Sequence, residues 1–204
     1  MKYDVILFKC SGVIINLFMQ ELQKGVFISS CEGKTLYFFL TEHCGISAEY
    51  ITEKIKTILV DGKPVDDLFN TTIKDGEVCA LSGAMPGIVG AMMRIGSPYA
   101  AMRESITLRP GDSVESGKEI NFGLKLFNVI LSDLGPDFLK RGILIEQKRA
   151  VELFRRHGDE IYSNCSEISI NGSLADRHFV YGDGMNSLSG LVVLKVGIEN
   201  ESKS

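Results

Sequence analysis

From Ser82 to Arg103 the chain strings together Gly83, Gly87 and Gly90, four of its seven methionines (Met85, Met92, Met93 and Met102) and two arginines, with no acidic residue. Glycines leave backbone amides open to the close approach of an anion, and a helix beginning after them adds its dipole. Arg94 and Arg103 can then clamp a phosphate or carboxylate through paired guanidinium donors. Gly83, Gly87, Gly90, Arg94 and Arg103 are therefore the candidate binding residues for a small anionic metabolite. A competing reading, which we place first, has the glycines and alanines allowing tight packing. Met85, Met92, Met93 and Met102 then fill irregular gaps or offer an adaptable surface to a second subunit or a protein partner. Neither the dinucleotide nor the P-loop spacing is present. Thioether coordination of Cu(I) ranks last, because such sites usually bring closer spacing or histidine.

Other reactive side chains point to less. His43-Cys44 could pair a base with a nucleophile, or supply two metal ligands, but neighbours on a strand face opposite ways and no third ligand is signalled. His157 suits the carboxyl end of a helix, and His178 follows Asp176-Arg177 in a turn. The five cysteines are odd in number, widely spread and never in a Cys-x-x-Cys pair, so neither a disulfide framework nor a zinc ribbon is expected, and no metal site. A reducing, cytoplasmic setting follows from that reading. Lys140-Arg141, Lys148-Arg149 and Arg155-Arg156 make a basic run, read as a solvated helix face with Glu152 paired to Arg156. With a net charge of -4 and no aromatic platform beside that run, nucleic acid is not an expected partner. The apolar stretch 81–93 falls short of the ~20 residues a membrane-spanning helix needs.

The elements that would position these residues alternate between strand and helix. With 45% hydrophobic residues the chain can bury a core. A first strand over 1–9 leads to a helix over 13–24, ended by Gly25, with a hairpin over 7–15 across Ser11-Gly12 as the competing reading. Residues 26–30 and 35–40, parted by Glu32-Gly33-Lys34, are written as a hairpin. Ser47 caps a helix to 56. A strand at 57–60, a tight turn at Asp61-Gly62, an extended segment after it and a strand at 77–81 complete the first half.

The cluster 109–118 is richest in turn formers, so the expected division is 1–108, a linker or long loop at 109–119, and 120–204. Residues 120–134 read as a short strand entering a helix closed by Gly135-Pro136. A strand at 142–145 and a helix at 146–157, stopped by Gly158, follow. Residues 168–176 lie on 58–66 without a gap, with the turn at the same place, and Leu191 onward then takes the role of 78–81. The expected class is α+β, a mixed sheet built from strand-helix-strand-strand units related by internal duplication.

Residues 47–87 resemble the small β-grasp sulfur carriers, relatives of ubiquitin. Val60-Asp61-Gly62-Lys63-Pro64-Val65-Asp66-Asp67 and Lys74-Asp75-Gly76-Glu77-Val78 match that family's turn, its valine-aspartate segment and the turn before its last strand. The resemblance implies β-grasp-like units. The family's chemistry uses a free carboxyl-terminal Gly-Gly, whereas Gly83 to Gly87 here run on into a further hundred residues and more, so carrier activity is not implied. The function expected is that of a non-catalytic binding or assembly protein, a homo-oligomer or the partner of another protein. The alternative is an enzyme or sensor for a small anionic metabolite.

Overall fold

A computed structural model describes residues 3–103, 106–108, 117–177 and 183–199. Most of the expected linker, and His178, lie outside them. The protein is α+β and forms two compact units, a split one made of Met1–Glu21 with Leu134–Ser204 and a continuous one, Leu22–Asp133. The divisions fall inside helices α1 (Ile15–Lys24) and α5 (Asn128–Arg141) rather than at 109–119. Strand pairing is the reason: β1 (Asp4–Ser11) finds its partners in the last third of the chain.

In the continuous unit, β2 (Val26–Cys31), β3 (Thr57–Val60), β4 (Lys63–Pro64), β5 (Val78–Ser82) and β6 (Glu119–Phe127) lie in the order β4-β3-β5-β6-β2. Only β5 and β6 run parallel. Ile120, Phe122, Leu124 and Leu126 of β6 are all buried, the two-residue period of a strand. The hairpin expected at 26–40 does not form. β2 pairs with β6, and Thr35 instead caps α2 (Leu36–Phe38), its Oγ1 accepting from the Phe38 amide at 3.2 Å. The amides of Leu36 and Tyr37 donate to the carbonyls of Thr71 and Leu68, at 2.7 and 3.0 Å, so a distant loop supplies the acceptors that draw this segment into a helix. A π-helical turn, Phe39–His43, continues it. His43 therefore sits on a helical turn, its ring against Phe38 and Phe39, and Cys44 is buried. Helix α3 (Ala48–Glu53) is capped by Ser47 as expected, Oγ accepting from the Tyr50 amide at 3.1 Å.

In the split unit, β7 (Ile143–Glu146), β8 (Cys165–Ile170), β9 (Ser173–Leu174) and β10 (Leu191–Glu199) join β1 in the order β9-β8-β1-β10-β7, with β1 and β10 parallel. Phe8 of β1 sits in the core with its ring 4.8 Å from that of Phe18 and 5.4 Å from that of Phe154. Two expected stops are passed. Helix α5 runs through Pro136 to Arg141, because Gly135 has no Cβ to clash with the proline ring and the buried Phe138 and Leu139 hold the last turn. Helix α6 (Gln147–Asn164) runs through Gly158, which is buried on its inner face, one turn before the equally buried Ile161. His157 is thus within the helix, 3.5 Å from Glu160, and not at its end. Arg149, expected on the outer face, reaches the buried Glu21 of α1. Cys10 and Cys165 form a disulfide, against the expectation of free cysteines; partners 155 residues apart leave no spacing signal.

The five strands of each unit share one order and one pattern of directions. The Asp61 amide donates to the Val78 carbonyl at 3.0 Å, and its Oδ1 accepts from the Val78 amide at 2.9 Å. Asn171 does the same with Val5, at 2.9 and 2.9 Å. Both residues hold left-handed backbone, φ 48° and 53°. The Val65 amide bonds the Ile58 carbonyl as the Ala175 amide bonds that of Ile168. Gly25 and Gly142 enter β2 and β7 at φ +111° and +106°, under the stems of Lys125 and Lys195 respectively. The connections differ: β4 leads into β5, whereas β9 leads into β10, which holds the place of β6 and not, as expected, that of 78–81. β5 continues through residues 83–118 into β6, whereas β1, in the equivalent position, leaves its sheet for α1.

Candidate partner surface

Residues 83–103, singled out by their composition, begin the connection from β5 to β6, whose counterparts β1 and β10 are not consecutive in the chain. The stretch starts where Ser82 Oγ accepts from Asn128 Nδ2 at 2.9 Å. Gly83 is buried, and a Cβ there would lie 2.7 Å from Val129 Cγ1. The chain turns at Gly87, φ +79°, into the short helix α4 (Gly87–Met93). Gly90 packs so closely on the preceding turn that a Cβ would stand 2.2 Å from the Met85 carbonyl oxygen. Three backbone ties then lace the segment to the sheet: the Ile95 amide to the Lys56 carbonyl (2.9 Å), Gly96 to Asp66 Oδ1 (3.3 Å) and Leu108 to the Pro64 carbonyl (2.9 Å).

Arg103 closes the arrangement from the 3-10 turn Ala100–Arg103, and at 1% exposure it is the largest fully buried side chain among the described residues. Its Nη1 donates to Asp66 Oδ2 (3.0 Å) and Thr107 Oγ1 (2.7 Å), and its Nη2 to Asp66 Oδ1 (2.8 Å) and the Arg94 carbonyl (3.1 Å). Nε donates to the Met92 carbonyl. All five guanidinium N–H groups are thereby used. The hydrogen bonds from Arg103 hold the Asp66 carboxyl below its usual range.

Around this buried clamp the segment turns apolar side chains outward. Ile88 is 68% exposed, Val89 62% and Met102 63%, with Tyr99 and Ile106 about half exposed beside them in sequence. Arg94 is exposed and adds the only free-standing charge expected of residues 83–103. Met85, Met92 and Met93 are half-buried, so of the four methionines Met102 is the outward one. Gly83 and Gly90 serve close packing, and Gly87 an exposed turn. Arg94 and Arg103 meet through the carbonyl of Arg94, not as two guanidinium groups around one site. Sequence reasoning quoted Asp66 only as part of the β-grasp-like segment, not as a site residue, and passed over Thr107, Ile88, Val89, Tyr99 and Ile106. The adjacent pair Ile88-Val89, in a helix too short to bury two neighbouring faces, was the available signal.

The split unit holds an open cavity of about 410 Å³, lined by Asp4, Asn171, Ser173, Leu174 and Leu188 among others. Its one carboxylate is occupied: Asp4 accepts from the Ser189 amide (2.7 Å) and Asn171 Nδ2 (2.8 Å), bonds that hold it below the usual carboxylate range. Among the described residues no group of three or more His, Cys, Asp or Glu could hold a metal ion, and no helix is long and apolar enough to cross a membrane. No protein-family model, curated protein or solved structure matches the chain.

Proposed function

We propose that this is a non-catalytic binding or assembly protein, and that the segment from Gly83 to Arg103 is its contact surface for a second copy of the chain. The observation that carries the reading is a contrast within one segment. Arg103 and Asp66 hold its backbone in place, yet Ile88, Val89, Tyr99 and Met102 are left in solvent. A presented apolar surface on an ordered scaffold suits association, since little ordering cost is added on binding. The anionic-metabolite alternative retains Arg94 but not the N–H groups of Arg103, which are taken up within the fold.

The correspondence of Gly25 with Gly142 and of Asp61 with Asn171 supports a further reading, that the units are two β-grasp sheets descended from one. On that reading the segment after β5 is an addition to one copy, which is where a function absent from the bare fold would reside.

The test is the mass of the protein in solution at micromolar concentration, by light scattering, for wild type, Ile88→Glu and Met102→Glu. Wild type is expected to be an oligomer and each variant a folded monomer with an unchanged circular dichroism spectrum. A monomeric wild type, or variants that still associate, would reject the proposal.

A further inference from the structure

We propose that Cys10 and Cys165 form a thiol–disulfide exchange site that locks the end of β1 to β8 and opens it in response to a dithiol. The two cysteines face each other across the antiparallel pair just past a register shift, where Lys9 opposite Glu167 is followed by Cys10 opposite Cys165. Cys10 is fully buried, while Cys165 is half-buried, so of the two sulfurs that of Cys165 is the one assigned to meet an incoming thiolate. Exposed disulfides are the exchangeable ones.

The chemistry closes on itself. A dithiol's thiolate attacks Cys165 Sγ, and the disulfide breaks with its electron pair on Cys10, which takes a proton. The second thiol of the reagent then attacks the mixed disulfide, expelling the Cys165 thiolate, which is protonated in turn. The protein gains two electrons and two protons, and the dithiol leaves as a cyclic disulfide. Cys44 and Cys79 belong to the continuous unit and are buried, and burial pushes the Cys79 thiol up, away from reactivity.

Opening would be local. Beyond the disulfide the side-chain ties from this end of β1 to β8 and α6 are part-buried or exposed: Lys9 to Glu167 (2.6 Å), Ser166 Oγ to the Lys9 carbonyl (3.3 Å) and Ser11 Oγ to Asn164 (3.5 Å), while on its other side the pairing with β10 runs on to Ser11 opposite Glu199. Further in, Phe8 is locked among Phe18 and Phe154, so the sheet survives.

The test treats the air-equilibrated, folded chain with dithiothreitol, alkylates it, and reads peptide masses and amide hydrogen exchange. Cys10 and Cys165 are expected to resist alkylation before treatment and to be alkylated after it. Exchange should quicken at residues 9–11 and 164–166 and stay slow at 6–8 and 168–170. Alkylation of either cysteine before reduction overturns the proposal. So does reduction that requires denaturant, or an exchange pattern that reduction leaves unchanged. Cys165→Ser should reproduce the reduced pattern and lose the response to dithiothreitol; if that variant fails to fold, the wild-type comparison alone decides.

Discussion

Arg103 grips Asp66 through both carboxylate oxygens, Nη1 to Oδ2 at 3.0 Å and Nη2 to Oδ1 at 2.8 Å, with the guanidinium wholly out of solvent. Planar, two-pronged bonding of this kind is specific to arginine. Asp66→Asn keeps the shape and removes the countercharge of a buried cation, so it should cost about 2–3 kcal/mol. Arg103→Lys should cost at least as much, because an ammonium cannot reach Asp66, Thr107 and the carbonyls of Met92 and Arg94 together. Urea denaturation of the three proteins measures both. Equal midpoints for wild type and Asp66→Asn would mean that the pair does not hold the segment.

The same pair sets an acid limit. Arg103 lowers the Asp66 pKa in the folded state below its ordinary value of 3.8, so the unfolded chain binds the proton more readily. The stabilisation is therefore fully present above the unfolded value and is lost as pH falls through the folded one. Wild type should lose stability below about pH 4 more steeply than Asp66→Asn, and the gap between them should narrow as the pH is lowered. Urea midpoints taken between neutral pH and pH 3 give the comparison. A gap that widens in acid would reverse the sign argued here.

How much of this was legible depended on the range of the cause. Asp61-Gly62 and Asn171-Gly172 announce left-handed turns because the preference is local, and both turns are formed. Ser47 likewise caps the helix it precedes. Residues 35–40 misled because Leu36 and Tyr37 take their acceptors from Thr71 and Leu68, more than thirty positions away. β-propensity yields to such tertiary partners. Gly158 and Pro136 read as stops, but Gly158 is buried on the inner face of its helix, and Pro136 is carried through by Gly135 before it and the buried Phe138 and Leu139 after it, packing that the pattern does not encode. In the candidate surface the segment was found by composition, but its inner anchor Arg103 and its outward residues Ile88 and Val89 differ only in burial, which a glycine- and methionine-rich run does not encode.

Gly142 and Gly25 offer a test of the correspondence between the sheets. At φ +106° a Cβ on Gly142 would lie 2.9 Å from Lys195 Cγ, Lys195 Cε and Val193 Cγ1. On Gly25, at φ +111°, the nearest atoms are Lys125 Cε at 3.0 Å and Cγ at 3.3 Å, ends of one flexible side chain. Gly→Ala should therefore destabilise both positions by roughly 1–2 kcal/mol through the backbone alone. Gly142→Ala should lose more, since Val193 in the adjoining strand cannot swing aside as a lysine stem can. Thermal midpoints for the two variants rank them; Gly25→Ala falling below Gly142→Ala would contradict the packing described.

Glu21 supplies the last prediction, because its helix was recognised and its partner was not. The carboxylate, 2% exposed, lies at 2.6 Å from Arg149 Nη2 and 3.0 Å from Nε, and the same Nη2 donates to the Glu21 carbonyl at 3.0 Å. Arg149 follows Lys148 in a basic run whose other members face water, and charge alone made it look like one of them. Burying a carboxylate is costly unless a cation accompanies it, so Arg149→Met should destabilise the protein by about 3–5 kcal/mol. Replacing both partners removes the buried charge along with its counterion, and Glu21→Gln combined with Arg149→Met should recover a large part of that loss. The neighbouring exposed pair gives the control: Arg156→Met, which breaks a contact with Glu152 in solvent, should leave stability nearly unchanged. Guanidinium denaturation of wild type, Arg149→Met, Glu21→Gln, the double variant and Arg156→Met separates the cases. A double variant as unstable as the sum of its singles would show that the two side chains act independently.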